Sequence, residues 1–145
     1  MHDNRWIIYL QVIFLGLLFF LGDLGNIAKD LVLSLIFGLG AGILVAGFFN
    51  IGIKSYSPYP EPREGRTFQQ KGLYRYVRHP MYTGMVVMGL GLVLSQLRLE
   101  SFLIWLFLIY VLNLKADMEE VMLIAKHPEY ADYKNKTKKF IPYIL

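Results

Sequence analysis

Two groups of charged side chains in this chain have the types and spacing to bind a small charged molecule. The first lies in residues 72–84, GLYRYVRHPMYTG, where Arg75, Arg78 and His79 sit among Tyr74, Tyr76 and Tyr82 and just before Pro80. Arginine and imidazolium offer charge-assisted hydrogen bonds to an anionic group, and tyrosine rings offer stacking faces. The second group is Lys115, Asp117, Glu119 and Glu120. On a helix, Lys115 and Glu119 share a face, whereas Glu119 and Glu120 diverge by about 100°. One of these carboxylates at most can point at a given ligand atom, and the other must pair with a cation or with water.

Each group alone has an ordinary explanation. Arginine and histidine at the end of a membrane span anchor headgroups, and glutamates on a juxtamembrane helix form a solvated face. The combination is more specific: a cationic and aromatic cluster and an acidic cluster, both at the ends of apolar runs. Other chemistry is excluded. The chain has no cysteine, which removes disulfides, thiolate metal sites and thiol nucleophiles. His2, His79 and His127 are too scattered for metal-ligand spacing. No residue stands out as a catalytic base.

The elements that position these residues are membrane helices. The chain has 145 residues, 55% of them hydrophobic, and its apolar residues come in long blocks with charges between them. This predicts one all-α integral membrane domain over residues 1–145, with four transmembrane helices at about 6–22, 31–53, 81–97 and 101–114. The fourth has no Gly or Pro until Pro128, so it is expected to continue to about 125, roughly 37 Å in all. The first block lacks a small-x-small cleavage site before Asp23 and is expected to be retained. Residues 22–30 read as a short turn. Pro58, Pro60 and Pro62 favour extended chain in the central loop. Pro80 suits the first turn of the third helix. Gly38, Gly42 and Ala46 form a small-residue stripe that packs on a neighbouring helix or supports a homodimer; the chain is otherwise a monomer.

Lysine and arginine are distributed unevenly. The N-terminus, the first loop and the last short loop carry one each, whereas the central loop and the C-terminal segment carry six each. By the positive-inside rule, both termini, the central loop and the charged end of the fourth helix face the cytoplasm. The net charge of +4 is clustered beside the spans. It implies contact with the lipid bilayer and not with nucleic acid.

The string RYVRHPMYTG, followed about 35 residues later by EE-x-x-L, then EY-x-x-Y and a terminal IP, resembles the isoprenylcysteine carboxyl methyltransferase and phospholipid methyltransferase superfamily. The resemblance runs from about Pro58 to Pro142. It implies an integral membrane enzyme that uses S-adenosylmethionine to methylate a lipophilic acceptor, a prenylcysteine-type carboxylate or a phospholipid amine. It also implies a cytoplasmic-face cofactor pocket built from the central loop, the extended fourth helix and the C-terminal segment. The residues expected to bind the cofactor are Tyr76, Arg78, His79, Tyr82, Gly84, Glu119, Glu120 and Tyr130. Leu123 and Tyr133 fall at further motif positions, and His127-Pro128 stands where many relatives have Phe-Gly. The motifs recur in membrane sterol reductases, so an NADPH-dependent reductase is an alternative. A non-catalytic, lipid-binding scaffold is a third.

Overall fold

The computed structural model describes residues 4–52, 55–59, 65 and 68–145. It contains α1 (Trp6–Leu21), α2 (Leu24–Lys29), α3 (Leu31–Ile51), α4 (Pro80–Gln96), α5 (Leu99–Lys126) and α6 (Tyr130–Lys136), with a 3-10 turn at Gly72–Arg75. The described residues form no strand, only an isolated parallel bridge between Val77 and Lys138. The protein is therefore all-helical. Helices α3 and α5 are long and apolar enough to cross a membrane, whereas α1 and α4 are apolar but shorter. Leu31, Val32, Leu35, Leu39, Val45 and Phe49 leave much of α3 apolar and exposed.

Local chemistry sets the helix ends. Residues 22–30 hold a short helix in place of the expected turn, because GDLGNIAKD supplies an aspartate at each N-cap. The Asp23 side chain accepts from the Asn26 amide at 2.9 Å, and Asp30 accepts from the Leu33 amide at 3.0 Å. Helix α3 ends at Ile51, with Gly52 at φ 80°; Ile53 lies outside the described residues, as do Pro60 and Pro62 of the proline pattern. Helix α4 starts on Pro80 and stops where Leu97 turns left-handed. The fourth expected helix and its continuation form one helix of 28 residues, Leu99–Lys126, about 42 Å long.

The long helices alternate in direction. At one end, the Asp23 amide donates to Ser95 Oγ and Asn26 Nδ2 donates to the Ser95 carbonyl, both at 2.8 Å. At the other, Lys115 Nζ donates to Gln11 Oε1 at 3.0 Å, and Gln11 Nε2 lies 3.3 Å from Met85 Sδ. This second end collects the start of α1, the end of α3, the start of α4 and the charged half of α5. Between the two ends, Leu18, Leu92, Leu108, Leu112 and Ala116 fill the core.

Helix α3 lies against α4 through glycines, but not through the expected stripe. A Cβ on Gly40 would run into the Met88 backbone, and one on Gly84 into the Leu44 backbone. Gly38 and Gly42 have no such neighbour within 4 Å. The intramolecular contact thus uses Gly40, Gly47, Gly84 and Gly91, and the Gly38/Gly42 face points outward. Four-residue spacing identified a small-residue face, but α4 packs on nearly the opposite one.

Candidate functional site

The 72–84 stretch is held in place from both sides. Gly72 has φ 60°, and a Cβ there would collide with the Asn50 side chain. That side chain accepts from the Leu73 amide at 2.8 Å, which ties the 3-10 turn to the end of α3. On the other side, the C-terminal segment zips alongside. The Arg78 and His79 amides donate to the Lys138 and Lys139 carbonyls at 2.8 and 3.1 Å, and Lys138 N donates to the Tyr76 carbonyl at 3.3 Å. Thr83 Oγ1 donates to the Phe140 carbonyl at 2.8 Å, and Tyr133 OH to the Tyr74 carbonyl at 2.5 Å.

These ties deliver Arg78 and His79 to the two glutamates of α5. Arg78 Nε donates to Glu120 Oε1 at 2.7 Å, while Nη1 donates to the Lys134 and Thr137 carbonyls at 3.0 and 2.5 Å. Lys134 Nζ reaches Glu120 Oε2 at 2.9 Å. The His79 ring lies between the two carboxylates, with Nε2 3.1 Å from Glu120 and Nδ1 3.5 Å from Glu119. Burial pulls the His79 pKa down, but hydrogen bonds to Glu119 and Glu120 more than offset this, and the net shift is upward. Both ring nitrogens can donate at once only as the imidazolium. Tyr82, one helical turn on, stacks on the His79 ring and donates its hydroxyl to Glu119 Oε1.

A cavity of about 260 Å³ opens beside this network. Its outer wall is aromatic: Tyr56, Phe68, Tyr74, Tyr130 and Tyr133. Phe68 meets Tyr130 edge-on, with ring centroids 4.9 Å apart. Burial pushes the Tyr133 phenol up to about 12 and raises those of Tyr74 and Tyr130 further. All three stay protonated and can donate. The inner wall is Gln11, Met81, Met85 and Lys115.

Of the eight expected contact residues, Arg78, His79, Tyr82, Glu119 and Tyr130 line this cavity, and three do not. Glu120 is 1% exposed, and three cations take up its carboxylate. Gly84 faces the α3 backbone, so its missing Cβ serves helix packing. Tyr76 is half exposed at the surface, and only its carbonyl ties in the tail. Leu123 and Tyr133 also line the cavity. Gln11 escaped the sequence reading as a wall residue, although it is the one polar interruption of the first apolar run. Phe68, within a loop, gave no comparable signal.

The fold and site define a helical protein with membrane-length spans, whose polar end carries a buried ion-pair network beside a tyrosine-walled cavity. Residues 29–129 match the phospholipid methyltransferase family model, covering more than two thirds of the chain. The chain belongs to that family. The match includes α3, α4 and all of α5, and it leaves out α1 and α6. No curated protein and no solved structure matches the chain.

Proposed function

We propose that this protein is a four-span membrane methyltransferase that uses S-adenosylmethionine to methylate a lipid-borne acceptor, a phospholipid amine before a prenylcysteine-type carboxylate. Family membership supports the reaction class. One observation carries the site: Glu119 is fixed by Tyr82 and His79 on the wall of the cavity, and its side chain is 17% exposed against 2% for Glu120. Glu119 is therefore the carboxylate that can still accept from a bound ligand, since an ionised carboxylate has about four acceptor positions.

The donor set fits the cofactor. Glu119, held in place by His79, would take its amino group, Arg78 its carboxylate, and the rings of Phe68, Tyr130 and Tyr133 its adenine. When bound, S-adenosylmethionine supplies a methyl group on a sulfonium sulfur, and the carbon–sulfur electron pair stays on sulfur as the new bond to the acceptor forms. The protein's part is orientation and exclusion of water. Cavity size favours this cofactor over NADPH, because about 260 Å³ is already just under the usual ~300–1,000 Å³ of small-molecule sites. A dinucleotide needs more. In this reading both termini and the cofactor site face the cytoplasm, where the basic segments lie.

Calorimetry of the detergent-solubilised protein with S-adenosylhomocysteine tests the proposal. Binding is expected, and Glu119→Gln should weaken it by about 1.5–3 kcal/mol, the range for a hydrogen bond to a charged group. Folded wild-type protein that gives neither heat nor a thermal shift would refute it.

A further inference from the structure

Among the described residues, the other cations of this network pair with carboxylates. Arg78 and His79 share Glu120, which also takes Lys134, and Lys139 meets Asp117 at 2.7 Å. Lys115 differs. It is 3% exposed, yet no carboxylate lies within ion-pair distance of its ammonium among the described residues. Its partners are the Gln11 amide oxygen at 3.0 Å and the face of the Tyr82 ring at 5.1 Å. Neither carries a full charge. An ammonium has three donors, and one is used here. The Glu119 carboxylate, one turn on along the same face, acts on this ammonium only at longer range, and an ionisable group at membrane depth marks a functional site by default.

The position of Lys115 indicates which ligand takes its remaining donors. It stands one helical turn before Glu119 on α5, about 6 Å further toward the apolar middle of the helix. The cavity wall around it is Gln11, Met81 and Met85, which come from α1 and α4 rather than from the aromatic outer wall. A molecule coming from the lipid side therefore meets Lys115 before it meets Glu119. We infer that Lys115, aimed by Gln11, is the subsite for the phosphate of the methyl-accepting lipid. This inference rests on the methyltransferase reading and adds a specificity residue to it. A phospholipid amine carries its phosphate a few bonds from the accepting nitrogen. Holding that phosphate at the inner wall lets the amine reach back toward the cofactor. An ammonium suits this role as a compact point charge for phosphate.

The test uses full-length protein saturated with S-adenosylhomocysteine and two single-chain probes. Lysophosphatidylethanolamine has amine and phosphate; oleylamine has the amine alone. Calorimetry reads probe binding to this complex, and labelled methyl transfer from S-adenosylmethionine, run without added S-adenosylhomocysteine, reads turnover. Wild-type protein should prefer the phosphate-bearing probe. Lys115→Met should weaken that probe at least tenfold, leave oleylamine and S-adenosylhomocysteine within about threefold, and so erase the preference. Lys115→Arg should keep most of it. Gln11→Leu should give a smaller loss of the same kind, and it carries the test if Lys115→Met does not fold. Equal losses for both probes, an unchanged preference, or a tenfold loss of S-adenosylhomocysteine affinity would overturn the assignment. Failure of wild-type protein to bind S-adenosylhomocysteine would instead refute the methyltransferase reading itself.

Discussion

Glu119 and Glu120 are neighbours in sequence with different environments. Glu120 is enclosed by Arg78, His79 and Lys134, whereas Glu119 keeps contact with the cavity. Removing one partner of a buried ion pair leaves the others uncompensated, at a cost of about 3–5 kcal/mol. Glu120→Gln should therefore lower stability by about that amount in detergent unfolding experiments. Glu119→Gln should unfold nearly as the wild type does and lose ligand affinity instead. Similar destabilisation by both changes would contradict the division. Helical geometry alone predicted that the two carboxylates diverge. Which of them turns inward could not be read from α5, because Lys134 and the carbonyl acceptors of Arg78 come from the tail.

At the scale of elements, α3 and α4 approach closely only where neither helix has a Cβ. Gly40 and Gly84 each face the backbone of the partner helix, so Gly40→Ala or Gly84→Ala must push the helices apart. Overpacking of this kind typically costs about 1–3 kcal/mol. Gly38→Ala and Gly42→Ala add a methyl group where nothing lies within 4 Å and should leave unfolding unchanged. Thermal unfolding of the four variants in one detergent checks the contrast. Losses at Gly38 and Gly42 as large as those at Gly40 and Gly84 would contradict the packing. The apolar runs located α1, α3 and α4 to within about two residues. They did not reveal α2, whose helix depends on its Asp23 cap and on Asn26 reaching Ser95 of α4.

At the scale of the molecule, the proposed four spans put the α2 end and the α6 end on opposite sides of the bilayer. The absence of cysteine makes this directly measurable. Lys29→Cys and Lys136→Cys replace exposed residues at the two ends. In intact cells a membrane-impermeant maleimide should label the first, and it should label the second only after permeabilisation. Labelling of both from one side would refute the topology. The same arrangement explains why the tail matters: α6 and residues 137–140 close the 72–84 stretch from the polar side, so the site needs both the middle and the end of the chain.

By itself, the sequence determined what depends on local pattern. Run length and the scarcity of Gly and Pro set the long helices, Pro80 set the start of α4, and charge distribution set which end is polar. The RHP and EE motifs marked the two segments that meet. Tertiary structure decided what depends on residues far apart in the chain. It placed Arg78 against Glu120 across 42 positions, Lys115 against Gln11 across 104, and Gly84 against α3 instead of a ligand. The physical reason is that a helix fixes the directions of its side chains, while burial and partners come only from what packs against it. GLYRYVRHPMYTG thus became two things at once: a clamp, through Arg78 and Glu120, and a cavity wall, through His79, Tyr82 and Glu119.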